Sequence, residues 1–461
     1  MKHLNNMFNK NILIYKNLCR ASLPLMLSMT GGMMMMLVDR LTLAHYSELT
    51  LAASGPAIFT LMTFIMFFTG AVSILRSFVG QAFGSGKDYK SIGATGLLFS
   101  VILALIFILL FPLIMYLPEL SHFPPSIIAL QRQYYHYAIY YGALMVINMG
   151  FASYFNGLLK TRTVMFISMI GQVINMILTP MLVFGFVVFP ELGMAGSALG
   201  TLIAEVVMIV LFAIAVARCG GFDVKLKALK KTDLYNLTRR GLPSGLTSSL
   251  EELANTAFIW VVGALGIATL SSLSAILLIN YIMIIPVIGL ATGASAYIAN
   301  KIGAGKFNEI QKYLNASFII GVIYVAITSI ILLLLWRPVL QLVSFKVDTE
   351  TFAVAKYSIF VLWTYPLAFV FTMIGSSVLQ SFGDTRFSFI VRALITWVLS
   401  IPVLLMMVRY LGVTPTTLAK CWLYGSFIEI VIGGIYLWKI HLNIKTQSNF
   451  ITANVAVEDE P

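Results

Sequence analysis

A succession of apolar runs constrains this chain more than any other feature. Most exceed the ~20 residues that a helix needs to cross the hydrocarbon core of a bilayer. They alternate with short polar breaks along nearly all of the 461 residues. Hydrophobic residues make up 59% of the chain and charged ones 10%, against about 25% charged in a soluble domain. With a mean hydropathy of +0.92, a soluble fold of this size could not hide its apolar surface. The pattern excludes a soluble enzyme, a disordered regulator and a disulfide scaffold, and defines an all-α integral membrane protein.

The breaks place twelve transmembrane helices at approximately 17–43, 52–80, 92–117, 134–158, 164–188, 193–217, 241–266, 271–298, 312–336, 352–380, 388–410 and 414–440. Lengths above ~20 residues permit tilt. No small-residue cleavage site follows the first run, so it reads as a retained span rather than a signal peptide. Lys2, Lys10, Lys16 and Arg20 precede it, and further basic residues mark alternate loops. These are Lys87 and Lys90, Lys160 and Arg162, the group Lys225, Lys227, Lys230, Lys231, Arg239 and Arg240, then Lys301, Lys306 and Lys312, and finally Lys439 and Lys445. The other loops carry few, chiefly Arg132, Arg337, Lys346 and Arg409. By the positive-inside rule both termini are expected in the cytoplasm, with the chain in the inner (plasma) membrane. The 30 basic against 18 acidic residues therefore reflect topology; no basic stripe with interleaved aromatics suggests nucleic acid. Cys19, Cys219 and Cys421 have no metal-binding spacing and read as free thiols.

The polar linker 218–240 divides the chain into two halves that repeat at a constant offset of 219 residues. Arg20-Ala-Ser-Leu-Pro24 aligns with Arg239-Arg-Gly-Leu-Pro243, Gly70 with Gly289, and Leu192-Gly193 with Leu411-Gly412. Gly80-Gln-Ala-Phe-Gly-Ser-Gly-Lys87 aligns with Ala299-Asn-Lys-Ile-Gly-Ala-Gly-Lys306, and Lys160-Thr-Arg162 matches Asp384-Thr-Arg386 at a slightly larger offset. Halves of six spans each enter from the same side, so they are parallel repeats forming two lobes around a central cavity, with a substrate path expected at their interface. The expected organisation is a cytoplasmic segment 1–16, an N-lobe 17–217, the linker 218–240, a C-lobe 241–440 and a cytoplasmic tail 441–461. Gly84, Gly86, Gly303 and Gly305 are expected to serve tight exits from helices two and eight. No Walker spacing is present, which speaks against ATP-driven transport.

These motifs, taken in order over residues 15–440, resemble the multidrug and toxic compound extrusion (MATE) family. The resemblance implies a secondary active antiporter that exports organic, cationic or amphipathic compounds in exchange for protons or sodium by alternating access. It implies no cofactor beyond that coupling ion and no metal beyond sodium at the coupling site. Expected partners are small organic substrates and the lipid bilayer, with the protein acting as a monomer.

An acid inside a span is costly and marks a functional candidate. Asp39 lies about 28 Å along the first helix from Arg20; the alternative is a solvated helix end beside a snorkelling Arg40. The context Leu37-Val-Asp39 matches the family's first-helix acid, which implies binding of the coupling ion. Glu251 matches, by its spacing from Pro243, a seventh-helix glutamate of the NorM-like branch. Glu252 lies about 100° around the same helix and is a weaker candidate. Two departures stand out. Phe369 occupies the position of the NorM-like helix-ten aspartate, although Tyr365 is kept. Thr179 occupies the position of the DinF-like helix-five aspartate, although Asn175 is kept. Glu205 and Glu429, near mid-span, match nothing in the family and admit a structural or a transport role; Arg76 is either an ion-pair partner or a snorkelling residue. Tyr134, Tyr135, Tyr137, Tyr140 and Tyr141 read first as an interfacial belt, although aromatic and Met-rich surfaces also suit flat cationic ligands. Two other functions remain open. A flippase for lipid-linked sugars would show a strongly cationic cavity, and an intramembrane transferase would need a buried nucleophile or base that only His136 comes near to supplying.

Overall fold

The computed structural model describes residues 2–120, 123–186, 189–222, 230–263, 265–343, 349–412 and 414–458. Lys225 and Lys227 of the linker and Lys346 lie outside them. The described chain is helical, with no strand among the described residues. Twelve long helices follow one another: α1 (Lys2–Tyr46), α2 (Glu48–Gly84), α3 (Tyr89–Leu109), α4 (Pro125–Gly157), α5 (Thr161–Phe184), α6 (Met194–Arg218), α7 (Lys231–Gly263), α8 (Ile267–Gly303), α9 (Phe307–Leu334), α10 (Thr364–Phe382), α11 (Thr385–Leu411) and α12 (Thr417–Glu458). Eleven of them contain a stretch long and apolar enough to cross a membrane. The twelfth, α7, is diluted by Arg239, Arg240, Glu251 and Glu252. Short helices Phe111–Leu120, Trp336–Val343 and Thr349–Leu362 extend the spans of α3, α9 and α10.

Residues 2–16 are continuous with the first span in α1, and residues 441–458 continue α12. Neither stretch contains Gly or Pro, so the backbone has no local reason to stop turning.

The chain divides into two compact units, Leu27–Glu252 and Met1–Met26 with Leu253–Pro461. In the first, α4 packs against α2, α3 and α6, and α5 lies on α6. In the second, α10 holds the equivalent place against α8, α9 and α12. The repeat is thus visible as a repeated packing order. The first part of α1 belongs with α8, and the first part of α7 with α2. Small residues allow both approaches: a Cβ on Gly289 would lie 2.7 Å from Met26 Cα, and one on Gly70 3.1 Å from Gly245 Cα. Ser22 donates from Oγ to the Leu290 carbonyl at 3.4 Å beside the first of these crossings.

The exits from α2 and α8 are also repeated. Gly86 and Gly305 adopt left-handed backbone, with φ of +68° and +69°. Asp88 then caps α3 by accepting at Oδ1 from the amides of Lys90 and Ser91. Gly84 and Gly303, expected to share the turn, are instead the last helical residues of their helices; each turn needs only one residue with positive φ, and it falls two positions later.

Candidate functional site

The site assembles on α5, α6 and the later part of α1, all within the unit Leu27–Glu252. On α6, glycines at 196 and 200 lie on one face and bring that helix close to α5. A Cβ on Gly196 would lie 2.6 Å from the Leu182 carbonyl, and one on Gly200 3.0 Å from Thr179 Oγ1. Such small-residue seams let helices approach where lipid supplies no hydrophobic drive between them. The approach places Thr201 beside Asn175, whose Nδ2 donates to Thr201 Oγ1 at 2.9 Å. Thr201 donates onward to the Ser197 carbonyl at 3.1 Å. Asn175 and Thr179 occupy successive turns of α5 and are fully buried. Thr179 Oγ1 lies 3.5 Å from Asn175 Oδ1, in donor geometry, and its hydroxyl lies beside the Asp39 carboxyl. Pro180, next along α5, removes one helix N–H directly beside the site.

Asp39 itself is half-exposed as a residue, yet its Oδ1 is buried without a hydrogen-bond partner among the described residues. A carboxylate oxygen held away from water in this way calls for a proton or a cation. Arg40 does not supply it; that guanidinium lies over the Phe59 ring, 6.0 Å from its centroid. Tyr134 and Tyr141 stand on α4 of the same unit. Those two hydroxyls hydrogen-bond one another at 2.7 Å, and Tyr135 donates to the Ala57 carbonyl at 3.3 Å. Tyr134, Tyr135 and Tyr141 are buried in the unit and are not an interfacial belt. Their hydroxyls have protein partners, which lets the rings sit in the core.

Other sequence candidates are placed elsewhere. Glu251 and Glu252 are half-buried on α7, at the end of the same unit. Tyr365 lies in the second unit, in an aromatic cluster with Phe369 and Trp422 at centroid distances of 6.1 and 5.4 Å. Where the NorM-like pattern has an acid, the ring of Phe369 is stacked on Tyr365 with an interplanar angle of 20°. Arg76 is buried on α2 and does not snorkel.

Glu205 on α6 and Glu429 on α12 are both buried. Asn148 Nδ2 on α4 donates to Glu205 Oε2 at 2.6 Å and to the Glu205 carbonyl at 3.0 Å. Arg392 Nη1 on α11 donates to Glu429 Oε1 at 2.7 Å, and Thr372 Oγ1 on α10 donates to the Glu429 carbonyl at 2.7 Å. Arg392 stands immediately before a π-helical stretch of α11, Ala393–Ser400. Thr201, Asn148 and Arg392 were not singled out in the sequence. No local motif marks them, because their partners are on other helices.

A family model described as MatE matches residues 24–181 and 243–406. The chain therefore belongs to the MatE family of multi-pass membrane transporters. Among curated proteins it is 22% identical to a probable multidrug resistance protein, YoeA, of Bacillus subtilis (strain 168), over 86% of this chain and 88% of that one. It is 23% identical to the multidrug resistance protein MdtK of Pectobacterium atrosepticum, over 84% and 86%. Among solved structures it superposes on the Vibrio cholerae MATE transporter VcmN in its bent form with a TM-score of 0.84, at 18% identity, covering 96% of this chain and 99% of that one. A MOP superfamily transporter from Pyrococcus furiosus gives a TM-score of 0.86 at 19% identity, over 94% and 97%. The fold is the two-lobe, twelve-helix fold of these transporters.

Proposed function

We propose that this chain is a secondary active antiporter that exports organic, cationic or amphipathic compounds by alternating access. Export is driven by protons or sodium bound at Asp39. The protein acts as a monomer in the plasma membrane, with both termini and the 218–240 linker in the cytoplasm, where basic residues concentrate. The observation that carries the reading is the unpartnered, buried Oδ1 of Asp39 beside an unbroken polar run through Thr179, Asn175 and Thr201. The relatives named as multidrug resistance proteins support export of drug-like compounds; the cationic or amphipathic character is what the family resemblance implies.

A hydroxyl has a single proton, and this gives the run two states. With Asp39 ionised, the Thr179 hydroxyl donates to the carboxylate and leaves Asn175 Oδ1. With Asp39 protonated, the acid donates to Thr179 Oγ1 and frees the Thr179 proton for Asn175. Cation binding at the carboxylate likewise relieves Thr179 of that duty. The occupancy of Asp39 is thereby transmitted through α5 to α6, which is the differential contact an ion needs in order to bias a conformational equilibrium.

The test is export of ethidium, a planar organic cation, from proteoliposomes under a proton gradient and, separately, a sodium gradient. Asp39→Asn keeps the shape but cannot bind the ion, and it is expected to fold and insert like wild type while losing gradient-driven export. Wild-type uphill export by Asp39→Asn would overturn the assignment. Glu251→Gln in parallel tests the other candidate; loss in that variant alone would move the coupling role to α7.

A further inference from the structure

Glu205 and Glu429 are repeat equivalents. Each accepts, at its own backbone carbonyl, a side-chain hydrogen bond from a residue 57 positions earlier: Asn148 to Glu205 and Thr372 to Glu429. The shift that relates the two pairs is the one that aligns Lys160-Thr-Arg162 with Asp384-Thr-Arg386. Each unit thus buries one acid at the same place in its fold, about three turns into its sixth helix. What neutralises the acid differs between the two.

We infer that Glu205 is a second proton-exchanging carboxyl of this transporter, one helical turn from the Asp39 cluster, while its counterpart Glu429 is held ionised by Arg392 in a structural role. This rests on the coupling role of Asp39 and adds a site to it. Three observations support the difference.

The first is the chemistry of the partners. A guanidinium only donates, so Arg392 suits a carboxylate and cannot accept from a protonated acid. A primary amide suits both states. Asn148 donates Nδ2–H to ionised Glu205; turned over, it accepts the acid's O–H at Oδ1, an atom now buried without a partner.

The second is the electrostatic setting. Among the described residues Glu205 has no basic partner. The helices packed against α6 are α4 and α5. The charged and titratable side chains on these three helices are Arg132, His136, the α4 tyrosines 134, 135, 137, 140, 141 and 154, Arg162 and Arg218. The arginines lie toward the helix ends, and among the described residues the only side chain bonded to Glu205 is Asn148. A carboxylate buried without a counter-charge is costly, and proton binding relieves that cost.

The third is position. Glu205 follows Thr201 by four residues, so the two side chains share a face of α6. Thr201 ends the polar run through Thr179 and Asn175 that stands beside Asp39. The unit has Thr179 rather than an acid on α5, and Glu205 supplies a second carboxyl one turn beyond that run.

The test reads protonation directly, on purified full-length protein, by pH-difference infrared spectroscopy of the carboxylic C=O stretch. Glu205→Gln is expected to remove one buried-acid component and Asp39→Asn another, while Glu429→Gln removes none. In proteoliposomes carrying ethidium, Glu205→Gln should lower the protons exchanged per ethidium by roughly half, as expected for loss of one of two linked sites. A difference spectrum unchanged in Glu205→Gln, or one that loses a component in Glu429→Gln, overturns the inference. If Glu205→Gln fails to fold, Glu205→Asp serves instead: its buried-acid component must shift, and a spectrum identical to wild type overturns the proposal. Failure of the Asp39 reading is distinguished by Asp39→Asn, whose difference spectrum and driven export would then both match wild type.

Discussion

Removing Arg392 should be among the most damaging single substitutions in the second unit. Arg392 and Glu429 are 2.7 Å apart, with side chains only 6% and 9% exposed. Glu429 Oε1 takes the guanidinium, and Oε2 is buried with no partner of its own among the described residues. In Arg392→Met the carboxylate therefore loses its only basic partner among the described residues, and water cannot replace it. Breaking a buried pair from one side typically costs about 3–5 kcal/mol, and the second unsatisfied oxygen places this case toward the upper end. Replacing both residues with apolar ones of similar volume, Arg392→Met with Glu429→Leu, orphans no charge and is expected to return stability to within about 1–2 kcal/mol of wild type. Equilibrium unfolding in mixed micelles, followed by tryptophan fluorescence, measures all three. Trp422, buried in the same unit, makes the signal local. The two single losses should far exceed the loss in the double variant. If the singles simply add, or if Arg392→Met costs less than about 1 kcal/mol, the pair does not hold Glu429 as argued. Glu205→Gln is the contrast: no charge loses a partner, and a glutamine amide can still bond Asn148, so the cost should stay near 1 kcal/mol.

Two further substitutions probe the framework around the site. Gly196→Leu places side-chain atoms against the Leu182 carbonyl, only 2.6 Å from the Cβ position, and should cost about 1–3 kcal/mol by overpacking. It should also impair driven ethidium export with Asp39 intact; normal export and stability would show that the α5–α6 seam does not hold the site. Gly86→Val and Gly305→Val meet open space but must adopt φ near +68° and +69°. Each should lose about 1–2 kcal/mol from backbone strain alone, and unchanged unfolding midpoints would refute a requirement for left-handed backbone there.

Long-range order in this protein divides by what helical periodicity can and cannot convey. The twelve spans were legible because apolar runs and their breaks are local, and a bilayer permits few alternatives to a helix. The repeat was legible because turns such as Gly86 and Gly305 impose local backbone demands that a shared ancestor of the halves would keep at matching positions. Asp39 stood out because an acid in an apolar run is costly wherever it points. Asn175 and Thr179 were noticed only through the resemblance to the DinF-like pattern on the fifth helix. Thr201 was not, because its bond to Asn175 crosses between helices and depends on how closely the glycines at 196 and 200 let α6 approach. The equivalence of Glu205 and Glu429 was concealed because they match at the larger shift of the Lys160 and Asp384 motifs, whereas Leu192-Gly193 and Leu411-Gly412, which lie between, match at 219. The different roles of the two acids were not written locally at all. Which acid meets an amide and which meets a guanidinium is decided by the rotation of neighbouring helices about their axes. A pattern of residues along one helix names the face a side chain occupies, but only tertiary packing brings a partner to that face.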